Sequence, residues 1–178
     1  MKLLQLLPVG RLEGGLVQEL GSAMADLLNV PFQVLSPGLD PDFAFHGERQ
    51  QYHSSEILQK INSQVDTGTW RTLGVTSVDL YIPILTFVFG EAQMGGPCAV
   101  VSTHRLQQEF YGLPPEPQLL RDRLLKEAIH EIGHTLHLTH CDDYRCVMAP
   151  AHAVEWIDIK EVWLCSKCQS RVMAGEVT

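Results

Sequence analysis

The feature that most constrains the fold is a segment that begins near Gln118 and carries two stripes of side chains. Four apolar residues recur at spacings of four, three and four: Leu125, Ile129, Ile132 and Leu136. That period predicts an α-helix with one face against a core. His130 and His134 lie on a different stripe. Because four residues advance a helix by roughly 400°, the two imidazoles lie about 6 Å apart along the axis on one side.

This pair of histidines has the spacing of a metal site. Both ring nitrogens can reach one zinc ion at about 2.0–2.1 Å. Glu131 is offset by roughly 100° from His130, so its carboxylate can take a proton from a water molecule without occupying a coordination position. An HExxH pattern also arises by chance, and histidines on a helix surface are commonly only solvated. The helix period and the ligand-type residues nearby favour the metal site.

A catalytic zinc requires a third protein ligand and one position open to water. The candidates are His137, His140, Glu155 and Glu161. In a continuous helix, His137 would lie about 10 Å and His140 about 15 Å along the axis from His130. His140 can therefore bind the same ion only if the helix ends near residue 136 and the chain turns back.

Four of the five cysteines form a second group of possible ligands: Cys141, Cys146, Cys165 and Cys168. Two close pairs separated by a loop favour metal over disulfides in a reducing compartment. Four thiolates would close a tetrahedral structural zinc site that has no open position. Two disulfides, or a redox pair at Cys165 and Cys168, are the alternatives. The isolated Cys98 is predicted to be a core residue.

These motifs resemble a known family. The segment His130-Glu131-x2-His134-x5-His140 is similar to the zinc site of the metzincins, and Cys141-x4-Cys146-x-Met148-x16-Cys165-x2-Cys168 is similar to the archaemetzincins in particular. The resemblance implies that the three histidines bind the catalytic zinc and that Glu131 is the general base. It also implies that Met148 forms a Met-turn beneath the metal and that the substrate lies along a strand edge, for which residues 87–96 are the candidate.

His137 departs from the family pattern, which normally has glycine at this position because the turn favours a positive φ. Histidine is tolerated there, at a cost of order 1 kcal/mol. Tyr144, close to the metal segment, is expected to pack over the cysteine site or to donate a hydrogen bond to a developing oxyanion.

The remainder of the chain predicts alternating strands and helices. Strands are expected at about 2–9, 32–35, 73–84, 85–89 and 98–102, and helices at about 12–28 and 54–65 with Ser54 or Ser55 as cap. Residues 36–52 are expected to form a loop.

With the resemblance, the fold is predicted as α+β or α/β: a small zincin-like metalloprotease domain with a mixed β-sheet, an active-site helix and a zinc-stapled C-terminal subdomain. One domain should span residues 1–178, with a division at about 136/137.

Charge and length limit the possible partners. The net charge of −8 provides no basic field for nucleic acid or an anionic membrane. The apolar run at 3–9 is too short to span a bilayer and lacks a cleavage site, so a cytoplasmic protein is expected.

The predicted activity is a zinc metallopeptidase with two Zn²⁺ per chain, one catalytic and one structural, that acts on peptides or small proteins. A non-enzymatic zinc-stabilised binding module, closed by His137, and a zinc hydrolase of a non-peptide bond are the alternatives. The sequence gives no oligomeric state.

Overall fold

A five-stranded mixed sheet lies at the centre of the structure, a computed structural model that describes residues 2–66 and 68–174. The strands in chain order are β1 (Leu4–Val9), β2 (Phe32–Val34), β3 (Phe45–His46), β4 (Gln51–His53), β5 (Arg71–Thr76), β6 (Leu80–Tyr81), β7 (Gly90–Ala92) and β8 (Cys98–Ser102). The central sheet has the order β2-β1-β5-β8-β7. Its neighbouring strands are parallel except for β7, which runs antiparallel to β8 and forms one edge. A small sheet has the order β3-β4-β6.

Helices cover both faces of the central sheet. They are α1 (Leu16–Leu28), α2 (Ser54–Asn62), α3 (Pro117–Thr135), α4 (Val154–Ile159) and α5 (Ser166–Met173), and short 3-10 helices occur at Asp42–Ala44 and Gln108–Tyr111. Leu4 and Leu6 of β1 belong to the core under α1 and α3, whereas Leu7 and Val9 belong to the core under α2. A parallel sheet that is buried on both faces explains why β1 does not alternate between apolar and polar residues: apart from Gln5, all its residues are apolar.

The mixed sheets and flanking helices confirm the predicted α+β architecture, and the predicted first strand, first helix and long helix are all present. The prediction of a strand at 85–89 is wrong: one isolated antiparallel bridge, between Leu80 and Val88, is formed there. The predicted strand at 73–84 is wrong in part, because it divides into β5 and β6 and ends at Tyr81. Pro83 cannot donate to a ladder, and Ile84 and Leu85 are exposed. The predicted loop at 36–52 is also wrong in part, because it contains β3 and most of β4.

The predicted cap of α2 is wrong as well. His53 occupies the N-cap position. Instead of capping the helix, the hydroxyls of Ser54 and Ser55 both donate to the carboxylate of Glu91 on β7. The end of the edge strand is thus tied to the start of α2. Among the described residues, no helix is both long and apolar enough to cross a membrane. The outer limits of the predicted domain, residues 1 and 178, lie outside the described residues.

Candidate active site

Helix α3 carries the HExxH segment along β7 and β8, with His130 and Glu131 each only 5% exposed. Pro117 occupies the first helical turn, where its missing N–H removes no hydrogen bond. Leu124, Ala128 and Ile132 are buried in the core. This packing fixes the direction in which the opposite stripe faces, and so it orients His130, Glu131 and His134.

The helix ends at Thr135 in a Schellman motif. The N–H of His137 donates to the carbonyl of His134 at 3.0 Å, and the N–H of Leu138 donates to the carbonyl of Gly133 at 3.0 Å. His137 has the left-handed φ of 60° that such an end requires. The helix therefore ends where the sequence analysis required, and the chain turns back so that His140 reaches the other two histidines.

The rings of His130, His134 and His140 converge, and one ring nitrogen from each lies within 4.8 Å of the others. The Nδ1 of His130 is 2.8 Å from the carbonyl oxygen of Val147, and the Nδ1 of His134 is 2.7 Å from that of Leu138. A carbonyl oxygen only accepts, so each Nδ1 carries the proton and each Nε2 presents a lone pair.

The two Nε2 atoms, of His130 and His134, face each other at 3.1 Å. In these tautomers neither has a proton to share, so their approach is repulsive unless a cation lies between the lone pairs. Tetrahedral zinc with bonds of about 2.0–2.1 Å separates its ligand nitrogens by roughly 3.3–3.4 Å. The donor set therefore fits a zinc ion.

Burial sets the protonation of the site. Burial lowers the pKa of His130 well below its usual value, and it also lowers the pKa of His134 and His140. All three therefore favour the neutral form that binds a metal. Burial raises the pKa of Glu131 well above the usual value, and the neighbouring carboxylates of Glu127 and Glu91 raise it further. A cation held by the histidines would oppose that increase.

A cleft of about 550 Å³ opens onto these residues. One wall is β7 with the segment before it, another is α3, and residues 150–152 form the far side. At Gly90 a Cβ atom would lie 2.7 Å from the backbone oxygen of Val100 and 2.8 Å from Oε1 of Glu131, so this position requires glycine. The edge strand consequently lies directly beside Glu131.

Met148 lies beneath the helix and is fully buried. A Cβ atom at Gly133 would collide with its sulfur, so the glycine in the HExxH segment allows the close approach. The backbone of this turn also holds the site, because Val147 accepts the His130 hydrogen bond and Met148 accepts one from the N–H of Cys141 at 3.0 Å.

The four cysteines of the second group also converge, with their Sγ atoms all within 4.8 Å of one another. The Sγ atoms of Cys141 and Cys165 are 3.7 Å apart, close to the roughly 3.8 Å between thiolates on a tetrahedral zinc with bonds of about 2.3 Å. All four thiols are free. The N–H of Cys165 donates to the sulfur of Cys146 at 3.3 Å, which stabilises a thiolate. Cys98 lies in the core, as predicted, and burial raises the pKa of its thiol to about 11.

The other candidate ligands lie outside the three-histidine cluster. The ring of His137 packs on Gly95, which has a φ of 69° and no side chain to obstruct it. Glu161 pairs with Arg145 at the surface, and Glu155 lies on α4. Tyr144 is 60% exposed and does not line the cleft.

Sequence reasoning missed a buried ion pair next to the site. Lys160 donates through Nζ to Oε1 of Glu127 at 3.1 Å, and both side chains are almost fully buried. Burial raises the pKa of Glu127, and the Lys160 ammonium opposes that increase. The spacing of four residues between Glu127 and Glu131 could have indicated that Glu127 faces the cleft. Nothing in the sequence around Lys160 indicates its partner.

Residues 42–174 match the profile of Peptidase family M54. The chain belongs to this family. It is 44% identical over 137 residues to an archaemetzincin from Methanocaldococcus jannaschii, covering 76% of this chain and 74% of the relative. It is 35% identical over 171 residues to an archaemetzincin from Natronomonas pharaonis, covering 94% and 98%.

Solved structures support membership of the archaemetzincin family M54. A zinc-dependent peptidase from Methanocorpusculum labreanum superposes with a TM-score of 0.86 at 31% identity, covering 95% of this chain and 99% of that one. The archaemetzincin from Archaeoglobus fulgidus, crystallised with malonate, gives a TM-score of 0.82 at 35% identity over 95% and 99%. The chain is therefore a zinc metallopeptidase of family M54, and the predicted family and enzyme class are confirmed.

Proposed function

We propose that this metallopeptidase hydrolyses peptide bonds at a zinc ion held by His130, His134 and His140, with Glu131 as general base. The observation that carries the proposal is the pair of facing Nε2 atoms, 3.1 Å apart, whose rings are each held by a backbone carbonyl. Glu131 lies between these ligands in sequence and borders the same cleft.

Zinc at such a site supplies a Lewis acid that polarises the scissile carbonyl and lowers the pKa of a bound water to about 7. The chain's own residues then have separate tasks. The carboxylate of Glu131 accepts a proton from the attacking water and passes it to the leaving amine. The carbonyls of Val147 and Leu138 hold His130 and His134 in the tautomer that directs Nε2 toward the metal.

The four cysteines are proposed to hold a second, structural zinc, so that each chain carries two ions. Cys141 follows His140 directly and is tied to the turn at Met148 through its N–H. A metal at the cysteines would therefore fix the segment that presents His140. On this proposal the described residues from 137 to 174 form a zinc-stapled part of one catalytic domain with the described residues before them.

The substrate is proposed to be a peptide or small protein in an extended conformation. β7 pairs with β8 on one side and borders the cleft on the other, and an edge strand can add a peptide strand through backbone hydrogen bonds. Free thiols at all five cysteines suit a reducing compartment. We accordingly propose a cytoplasmic location. The net charge of −8 supports the further proposal that neither nucleic acid nor an anionic membrane is a partner.

The test is cleavage of a peptide library by zinc-loaded wild-type protein and by Glu131→Gln, with zinc measured in both. The variant should keep its zinc and lose roughly 100-fold or more in the hydrolysis rate, since a positioned base contributes about that much. Equal rates in the two proteins would refute the general-base role. A fully zinc-loaded wild-type protein that cleaves no peptide would favour the zinc hydrolase of a non-peptide bond or the binding module.

A further inference from the structure

Glu127 lies on the helical face that lines the cleft, one turn before Glu131. The two residues are about 6 Å apart along the axis of α3. Glu127 is 3% exposed, so the small accessible part of its side chain faces the cleft rather than bulk water. It has no place in the proposed hydrolysis, which requires one general base.

Lys160 approaches Glu127 from the protein interior. Its side chain is 1% exposed and does not line the cleft. Two residues earlier, Asp158 accepts two hydrogen bonds of 2.7 Å from Arg123 of α3. This clamp fixes the end of α4 and therefore the point from which Lys160 extends. The ammonium engages Oε1 of Glu127, whereas a carboxylate has two oxygens and about four acceptor positions.

A buried ion pair is a poor source of stability, because removing both charges from water costs about as much as their attraction returns. Apolar residues could fill the same volume without loss. The pair therefore calls for another explanation, and its position at the wall of the cleft suggests one: Lys160 holds a carboxylate in a fixed orientation where a substrate side chain can meet it.

The charged side chains that line the cleft all have one sign. Among the described residues that line it, the charged side chains are Glu91, Glu127 and Glu131, and neither lysine nor arginine is present. Both carboxylate oxygens of Glu91 accept hydrogen bonds from the hydroxyls of Ser54 and Ser55, and Glu131 is assigned to the water. Glu127 uses Oε1 for Lys160, and its Oε2 accepts no hydrogen bond from the described residues. Glu127 thus remains as the carboxylate that can select a substrate charge.

We propose that Glu127 is a specificity residue that selects peptides with lysine or arginine at one of the two positions flanking the scissile bond, with Lys160 as its positioning residue. The spacing along α3 supports a flanking position. Glu127 is about 6 Å along the helix axis from the general base Glu131, and an extended peptide advances about 3.3 Å per residue, so a side chain that reaches Glu127 belongs to a residue close to the scissile bond. This inference rests on the proposed peptidase function and names its substrate class.

The experiment compares otherwise identical peptides with lysine or norleucine at each flanking position. Norleucine has the lysine stem without the charge. For zinc-loaded wild-type protein, kcat/KM should be about tenfold or more higher for lysine at one position, as about 1.4 kcal/mol of charge recognition would give. Glu127→Gln and Lys160→Met should each bring the ratio close to one. Glu91→Gln, which removes another carboxylate from the same cleft, should keep the ratio.

Two further measurements keep the test decisive. The double variant Glu127→Gln with Lys160→Met removes both charges and replaces Glu127→Gln if that protein fails to fold. Binding of the same peptides to zinc-loaded Glu131→Gln, followed by fluorescence anisotropy, measures the preference without turnover. Equal affinity for lysine and norleucine, or a preference for aspartate, would overturn the inference. Absence of cleavage with a retained lysine preference in binding would instead refute the proposed function alone.

Discussion

Replacing Lys160 with methionine should destabilise the protein by an amount that depends on pH. Methionine fills a similar volume but leaves the carboxyl of Glu127 buried without its cation. The carboxyl can avoid a bare buried charge by taking up a proton. In the unfolded chain the same carboxyl has a pKa of about 4.3 and is ionised at both pH 6 and pH 7.5. The variant therefore loses the free energy needed to protonate it on folding, which is about 2 kcal/mol at pH 6 and about 4 kcal/mol at pH 7.5.

The sign follows from the raised pKa of the unpaired Glu127 in the folded variant. Below about pH 4.3 the carboxyl is protonated in both states and no stability is lost. As pH rises, the unfolded state ionises first, so stability falls by about 1.4 kcal/mol per pH unit until the pH passes the pKa of the folded state. The upper value agrees with the roughly 3–5 kcal/mol that breaking a buried ion pair typically costs.

Urea denaturation at pH 6 and pH 7.5, at one fixed free zinc concentration, measures the effect. The double variant Lys160→Met with Glu127→Gln is the matched control. Because it leaves no charge buried, it should unfold within about 1 kcal/mol of wild type at both pH values. A Lys160→Met protein as stable as wild type at pH 7.5, or equally destabilised at both values, would refute the account of Glu127 as a buried charge held by Lys160.

Three further outcomes are expected. Gently purified protein should contain close to two zinc ions per chain by elemental analysis. The Cys165→Ser variant should have a lower zinc content and a lower melting temperature, since structural zinc contributes folding free energy directly. An unchanged melting temperature would exclude a structural site. His140→Ala should lose the catalytic ion and retain the other, whereas His137→Gly should retain both, and the reverse pattern would make His137 the third ligand. Because burial lowers the pKa of all three histidines, protons should displace the catalytic zinc only below about pH 6. That ion should still leave before the fold melts, and a hydroxamate should slow its loss; simultaneous loss of both ions with unfolding would contradict this order.

Both candidate ligand sets could be listed from the sequence because metal sites depend on residue type and local spacing. A period of 3.6 residues places His130 and His134 on one side of a helix wherever that helix packs. The four cysteines could likewise be grouped before any fold was known. The third histidine was different, since its assignment required the helix to end. The structure supplies that end through the positive φ of His137 and a glycine at position 95 that makes room for its ring.

The errors in secondary structure have the same origin. Residues 85–89 have the composition of a strand, but a strand needs a partner, and only tertiary packing decides whether one is available. β7 begins at the next residue, Gly90, where β8 provides hydrogen bonds. Serine is a preferred residue type at helix N-caps, yet the hydroxyls of Ser54 and Ser55 donate hydrogen bonds to the carboxylate of Glu91 on a strand that is distant in the chain.

The sequence by itself thus determined the family, the α+β architecture, the long helix and the residues capable of binding metal, because each depends on periodicity or on motifs within a short stretch of chain. Only the tertiary structure decided which side chains share the cleft. Lys160 lies 33 residues from Glu127 in the chain, and no local period relates the two. Their pairing depends on how α4 packs against α3, and that packing is set by the summed burial of many side chains rather than by any one motif.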